Sequence, residues 1–127
     1  MDVDAKRALV GRYVDAYSRF DVEGMVALIH EDIEFENVSG GEVNARASGA
    51  DAFRALAEQA KGLFSEREQI IRAFEASDEG ASIEVDYTGV LAADLPNGMK
   101  AGEVLRLKGR SAFVFRGGKI YRLTDYS

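Results

Sequence analysis

The chain has 127 residues, of which 46% are hydrophobic and 30% charged, and this is the composition of one globular domain spanning residues 1–127. It contains no cysteine and a single histidine, which excludes disulfides, cysteine-ligated zinc and multi-histidine metal sites. A net charge of −6 argues against a general nucleic-acid binder. No apolar run approaches the ~20 residues that span a bilayer, and the first residues are no signal peptide. We therefore expect a cytoplasmic protein that binds neither membranes nor nucleic acid.

Helical periodicity dominates the beginning of the chain. Apolar residues recur at three- and four-residue spacing over residues 3–20, which predicts a long first helix with Tyr13 and Tyr17 on its buried side. Asp21 is a good N-cap for a shorter second helix that ends near His30. A cation near a helix C-terminus is favourable, so we interpret His30 as structural.

A strand, a second short strand and a third helix are predicted next. Residues 32–38 alternate between apolar and polar side chains, and this places Phe35 and Asn37 on one face. Residues 43–46 form a short strand. The run Ser48-Gly49-Ala50-Asp51 resembles a capping box and predicts the start of the third helix.

The second half of the chain is predicted to form strands. Residues 69–76 and 82–91 alternate, with Tyr87 on the apolar face of the second strand. Leu95-Pro96-Asn97-Gly98 is typical of a hairpin turn, because Asn-Gly favours left-handed backbone. Helices followed by a meander of long strands predict an α+β fold, with one sheet that carries helices on one face.

The last two strands decide which side chains share the inner face. In the first, the odd positions from Leu105 to Phe115 are mainly apolar, but Gly109 and Ser111 interrupt them, which indicates a cavity lining rather than a filled core. Phe113 lies on the same face.

The register of the returning strand depends on the loop. A two-residue loop at Gly117-Gly118 would turn Ile120, Arg122 and Thr124 inward, whereas a three-residue loop that begins at Arg116 would turn Tyr121, Leu123 and Asp125 inward. We favour the three-residue loop, because Tyr121 and Leu123 suit a buried face better. It makes Asp125 a buried carboxyl with a raised pKa and a candidate acid or base. The alternative is an Asp125 at a frayed edge, bonded to water or an amide.

The order of motifs resembles the nuclear-transport-factor-2-like superfamily, within it the SnoaL-like and ketosteroid-isomerase-like branch. The matching segments are R-Y-V-D-A-Y-S-R-F-D-V-E-G-M-V-A-L-I-H-E-D-I-E-F-E-N, S-G-A-D-A-F-R-A-L and F-V-F-R-G-G-K-I-Y-R. The resemblance implies a cone-shaped fold, in which a curved, mostly antiparallel sheet wraps around a long N-terminal helix with two further helices. It also implies an apolar pocket, and since homodimers are common in the family, a homodimer. The fold hosts many chemistries, so the resemblance is weak for the reaction.

The family's functional residues carry over only in part. Tyr13 matches the tyrosine that donates to the enolate in ketosteroid isomerases, whereas Asn37 and Ser111 replace the proton-shuttling aspartate and the protonated aspartic acid. In polyketide cyclases of the SnoaL type a histidine pairs with an aspartate; Ser111 stands in place of the histidine, and Asp125 matches the aspartate. Gly109 and Ser111 stand where limonene epoxide hydrolases have an arginine and an aspartate, which argues against that reaction.

We therefore expect a cofactor-free, metal-free enzyme of the SnoaL-like class that binds a small apolar carbonyl compound and transfers a proton in an isomerase- or cyclase-type reaction. Asp125 would be the acid or base, and Tyr13 and Asn37 would hydrogen-bond the substrate oxygen. The predicted ligand-binding residues are Tyr17, Phe35, Tyr87, Ser111, Phe113 and Leu123. The alternatives are a non-catalytic module that binds a small molecule and a dimerisation domain.

Overall fold

The computed structural model describes all residues, 1–127, and consists of three helices and one curved sheet of six strands. The elements are α1 (Val3–Ser18), α2 (Val22–Val26), β1 (Ile29–Ser39), β2 (Glu42–Ser48), α3 (Ala50–Lys61), β3 (Phe64–Ala76), β4 (Gly80–Leu91), β5 (Val104–Arg116) and β6 (Lys119–Tyr126). The strand order is β2-β1-β6-β5-β4-β3, and only β1 and β6 are parallel. This confirms the predicted α+β fold with its long N-terminal helix. None of the helices has the length and apolar character that crossing a membrane requires.

The core lies between α1 and the inner face of the sheet. Leu9 and Val10 of α1 are buried in one cluster with Ile83 of β4 and Leu123 of β6. Each such side chain contributes roughly 1.5–3 kcal/mol when it is fully buried. Asp2 caps the helix, since its carboxylate accepts from the backbone N–H of Ala5 at 2.7 Å. The core therefore fixes α1 over the central strands.

The first helix ends earlier than predicted, at Ser18 rather than Phe20. The N–H groups of Phe20 and Asp21 bond back to the carbonyls of Tyr17 and Ala16, at 3.1 and 2.9 Å, the pattern of a Schellman motif. Phe20 takes the left-handed position of that motif with a φ of 59°. Glycine is the usual residue there, because a side chain costs roughly 1–2 kcal/mol.

Two other helix boundaries were predicted wrongly. The second helix ends at Val26, and His30 lies in β1, so His30 is not at a helix C-terminus. The third helix has Gly49 as its N-cap, with no side-chain cap. Ser48 instead donates its hydroxyl to Glu34 at 2.7 Å, because the two residues face each other across β1 and β2. The capping box is thus replaced by a cross-strand hydrogen bond.

The loop of the last hairpin has two residues, not the three that we favoured. Gly117 and Gly118 have φ values of 61° and 75°, as a two-residue hairpin loop of the primed type requires. Arg116 pairs with Lys119 across the loop, and the next pair places Ile120 on the inner face. Ile120 is fully buried.

A β-bulge nevertheless places the carboxylate of Asp125 on the inner face of the sheet. The register shifts after Ile120, so that Leu123 pairs with Phe113 and Asp125 pairs with Ser111. Tyr121 is the extra residue and was wrongly placed on the inner face with Leu123 and Asp125. One additional residue exchanges the two faces of a strand. The predicted orientation is therefore correct for Leu123 and Asp125, which follow the bulge, and wrong for Ile120 and Tyr121.

The third strand is longer than predicted and begins at Phe64 instead of residue 69. Its added residues include Arg67, which is buried and pairs with Gly89 on β4. A Cβ at Gly89 would lie 2.7 Å from the Phe64 ring, so the glycine leaves room for that ring at the inner face.

Candidate functional site

Two cavities meet beneath α1. The larger cavity has a volume of about 580 Å³, is lined mainly by hydrophobic residues of α1, α3, β1 and β2, and has a size typical of ligand pockets. The smaller cavity, of about 200 Å³, lies against β4, β5 and β6. Tyr17, Asn37 and Asp125 line both cavities. These three side chains therefore mark the junction of the two spaces.

Asp125 is the only carboxylate at this junction. Its side chain is half-buried and accepts a hydrogen bond of 2.6 Å from the Ser111 hydroxyl. Burial raises the pKa of Asp125 to about 6, although the bond from Ser111 acts to lower it. A carboxyl group with this pKa exchanges protons near neutral pH, as general acid–base chemistry requires.

Tyr13 places a phenol on the larger cavity from α1. Its ring packs edge-on against Phe113, with centroids 6.1 Å apart. Burial raises the pKa of Tyr13 well above its ordinary value, and the negative charge of Asp125 raises it further. The phenol therefore keeps its proton at neutral pH and remains a hydrogen-bond donor.

Asn37 stands beside Asp125, because the parallel strands β1 and β6 pair these two residues. Its amide nitrogen donates to the side-chain oxygen of Asn44 on β2 at 2.7 Å. An amide has two N–H groups and a carbonyl oxygen, so this bond uses only part of its capacity. Asn37 thus holds the neighbouring strand and also presents a polar group to both cavities.

The two predicted tyrosines form a pair. The Tyr17 hydroxyl donates to the Tyr87 hydroxyl at 3.1 Å, and Tyr87 lines the smaller cavity. Burial raises the pKa of both phenols. Phe64 packs edge-on against Tyr87 at 5.9 Å and closes the same wall. This wall is aromatic and carries two protonated hydroxyls.

The other predicted ligand-binding residues divide into two groups. Ser111 lines the smaller cavity, and Phe35 lines the larger one. Phe113 and Leu123 lie in the core and line neither cavity. Both face inward, where they pair with each other across β5 and β6 and belong to the core cluster.

Arg67 is a buried residue that the sequence pattern did not reveal. Its side chain lines the larger cavity and is 6% exposed. Its Nε donates to the Tyr17 backbone carbonyl at 2.8 Å, and Nη2 is buried without a partner. Because Glu66 and Glu68 flank it, the segment looks like a solvated charge run, and only the start of β3 turns the arginine inward.

Nothing in the chain is arranged as a metal site, since no group of three or more histidine or carboxylate side chains converges. The polar groups described above are the carboxylate of Asp125, the phenols of three tyrosines, the amide of Asn37, the hydroxyl of Ser111 and the guanidinium of Arg67. Together they can move a proton and donate hydrogen bonds to a developing oxyanion.

Comparison with known proteins identifies the family. The SnoaL-like domain matches residues 10–123, and the chain belongs to this family. A proposed polyketide cyclase from Xanthomonas campestris pv. campestris is similar over 98% of this chain and 90% of its own, with 26% identity and a TM-score of 0.83. A proposed polyketide cyclase from Pseudomonas putida KT2440 also shares 26% identity, over 97% and 90% of the two chains, with a TM-score of 0.76.

A third structure shares the fold alone. It is a hypothetical protein from Catenulispora acidiphila with a ketosteroid isomerase-like fold, in complex with trimethylamine. Its identity is 15%, its TM-score is 0.77, and the match covers 94% of this chain and 84% of that one. No curated protein sequence matches the chain significantly. The resemblance drawn from the sequence motifs is confirmed at the level of family and fold.

Proposed function

We propose that the protein is an enzyme that transfers a proton on a small, mainly apolar carbonyl compound bound in the larger cavity. The observation that carries the proposal is a single carboxylate, Asp125, with a pKa of about 6 at the junction of two cavities. An unperturbed carboxylate is a weak base, because its ordinary pKa lies far below neutral pH. Burial makes Asp125 a stronger one.

In the proposed reaction Asp125 removes a proton from the carbon next to the substrate carbonyl. The electron pair of the broken C–H bond moves onto the carbonyl oxygen and forms an enolate. In an isomerisation the protonated Asp125 returns the proton to another carbon. In a ring closure the enolate carbon forms a bond to a second carbonyl of the same molecule, and the resulting alkoxide takes the proton. Both outcomes leave Asp125 ionised again and need no cofactor.

Tyr13 and Asn37 supply the complementary hydrogen bonds. The Tyr13 phenol keeps its proton and lines the same cavity as Asp125, so it can donate to the enolate oxygen. The Asn37 amide has a second N–H besides the one that bonds to Asn44, and Asn37 lines the same cavity as Asp125. Ser111 is a positioning residue, because its hydroxyl is already engaged by the carboxylate at 2.6 Å.

Hydrogen–deuterium exchange tests the proposal without the natural substrate. Neutral aryl ketones, whose α-protons exchange slowly without a catalyst, are incubated with the protein in D₂O, and loss of the α-proton signal is followed by NMR. We expect Asp125→Asn to lower the catalysed exchange rate by roughly 10²–10⁴-fold. The matched control is Asp32→Asn, the same change at an exposed carboxylate of β1, and it should leave the rate unchanged. Equal rates in the wild type and Asp125→Asn would remove Asp125 from the mechanism.

A non-catalytic binding module is the second candidate. The observation that favours it is the loss of two acidic groups of the isomerase trio, because Asn37 and Ser111 stand at their positions. The trimethylamine complex of the Catenulispora acidiphila protein shows that a related fold holds a small molecule. Ligands that bind the wild type without any catalysed exchange would establish this candidate. The homodimer and the cytoplasmic location stay predictions. Light scattering tests the homodimer, because it measures the mass in solution.

A further inference from the structure

We propose that Arg67 binds an anionic oxygen of the ligand, so that the natural ligand carries a carboxylate or an ionised hydroxyl besides its carbonyl group. This inference rests on the proposed function and narrows its substrate class. Arg67 and Asp125 line the same cavity. A ligand whose anionic end lies at Arg67 can therefore place its carbonyl end at Asp125.

Arg67 is a buried cation without a counter-ion. It is 6% exposed, and none of the ion pairs in the structure includes it. Arginine is almost never buried this deeply unless it is paired, because removing a charge from water is costly. The negative partner is therefore expected to come from outside the chain.

The contacts of the guanidinium group leave part of its hydrogen-bonding capacity unused. The guanidinium carbon lies over the rings of Tyr17 and Phe20, 3.8 and 4.5 Å from the two centroids. Nε already donates to the Tyr17 carbonyl. Nη2 is buried without a partner, and the residue itself lines the larger cavity. Carboxylates bind guanidinium groups, often with two parallel hydrogen bonds.

The backbone at Phe20 is an independent observation at the same place. Phe20 holds the left-handed conformation that glycine adopts without cost, and its ring lies over Arg67. Glycine at position 20 would relieve the backbone strain, but it would also remove the ring that lies over Arg67. The ring therefore contributes to the fixed orientation of the guanidinium plane.

Capping of α1 does not account for the whole arrangement. Arg67 does satisfy one of the last carbonyls of α1, that of Tyr17, and a cation is favourable at a helix C-terminus. That contact uses Nε alone. It leaves Nη2 and the positive charge without a partner, and an anionic ligand oxygen in the cavity that Arg67 lines would supply one.

The test compares an acid with its uncharged ester. Dissociation constants of 2-naphthoate and methyl 2-naphthoate are measured by NMR titration at pH 7.5 for the wild type, Arg67→Met and Arg67→Lys. Because Arg67 would donate a hydrogen bond to the charged carboxylate, we expect the wild type to bind the acid roughly 10–100-fold more tightly than the ester. Arg67→Met should lose this preference, and Arg67→Lys should keep part of it. Because the readout is a ratio within one variant, a change in stability does not imitate the result.

Arg46 provides the matched control, since it also lines the larger cavity but is exposed and paired with Glu36 at 3.5 Å. Arg46→Met should keep the preference for the acid. A preference that disappears in Arg46→Met and survives in Arg67→Met would overturn the proposal, as would equal binding of acid and ester by the wild type. Absence of binding by both probes at millimolar concentration would overturn it too. The proton-exchange rates judge the proposed function separately, because neutral ketones serve as substrates there.

Discussion

Replacing Asp125 with asparagine should stabilise the folded protein at neutral pH, although it removes the proposed base. Burial raises the pKa of Asp125 from 3.8 to about 6, so the folded chain holds this proton over a range in which the unfolded chain has lost it. Rising pH therefore destabilises the folded state through this group, beginning near its unfolded pKa and ending above its folded pKa. Asparagine carries no charge and avoids the penalty.

The size of the effect follows from the pKa difference. A shift of about two pKa units corresponds to about 3 kcal/mol once the carboxyl is fully ionised, since each unit is worth about 1.4 kcal/mol. Asp125 is half-buried, so about 3 kcal/mol is an upper figure for the advantage of Asp125→Asn at pH 8. In a domain of this size it raises the melting temperature by up to roughly 10 °C.

Urea unfolding of the wild type and Asp125→Asn at pH 4 and pH 8 measures the difference directly. We expect the advantage of the variant to grow from near zero at pH 4 to its full value at pH 8. Asp32→Asn, the exposed control, should show no such growth. An advantage of Asp125→Asn that is the same at both pH values would refute the reasoning, because only a buried ionisation makes it pH-dependent.

Two further substitutions test the surroundings of the site. Ser111→Ala removes the 2.6 Å hydrogen bond that lowers the pKa of Asp125, so the pKa should rise above about 6; a ¹³C-NMR titration of the carboxyl group measures this, and a lower or unchanged pKa would contradict it. Gly89→Ala places a Cβ 2.7 Å from the Phe64 ring and should cost roughly 1–3 kcal/mol in urea unfolding. Gly11→Ala is the matched control: nothing lies within 4 Å of the new Cβ, and the change should stabilise α1 by roughly 0.5–1 kcal/mol.

The inner face of the last hairpin was predictable because alternation is a local property. Ser111 and Phe113 on β5, and Leu123 and Asp125 on β6, follow from the requirement that large apolar groups be buried. The loop was not predictable in the same way. The two glycines fit a two-residue loop, whereas the apolar pattern of β6 after the loop fits a register shifted by one residue. The two are compatible only because Tyr121 is the extra residue of a β-bulge. One extra residue in the strand has the same effect on the register as one extra residue in the loop, and the alternation of the sequence does not show which of the two occurs.

Arg67 could not be predicted for a different reason. Charged residues are normally placed on the solvent side, and its inward orientation results from β3 beginning at Phe64 with an irregular register before Glu66. Ser48 shows the same limit at a helix start, since its hydroxyl reaches Glu34 on another strand. Contacts between segments distant in the chain decide these cases, and local propensity carries no information about them.

The position of β6 in the middle of the sheet has a consequence for how the domain assembles. β6 is the last strand in the chain, yet it lies between β1 and β5 and is the only link between the β2-β1 pair and the β5-β4-β3 meander. Until β6 has been synthesised, the two half-sheets have no hydrogen-bonded partner at their facing edges. Closure of such long-range pairings is slow, and open edges attract other chains. Folding should therefore be completed only after translation of β6, and the carboxylate of Asp125 reaches its place in that final step.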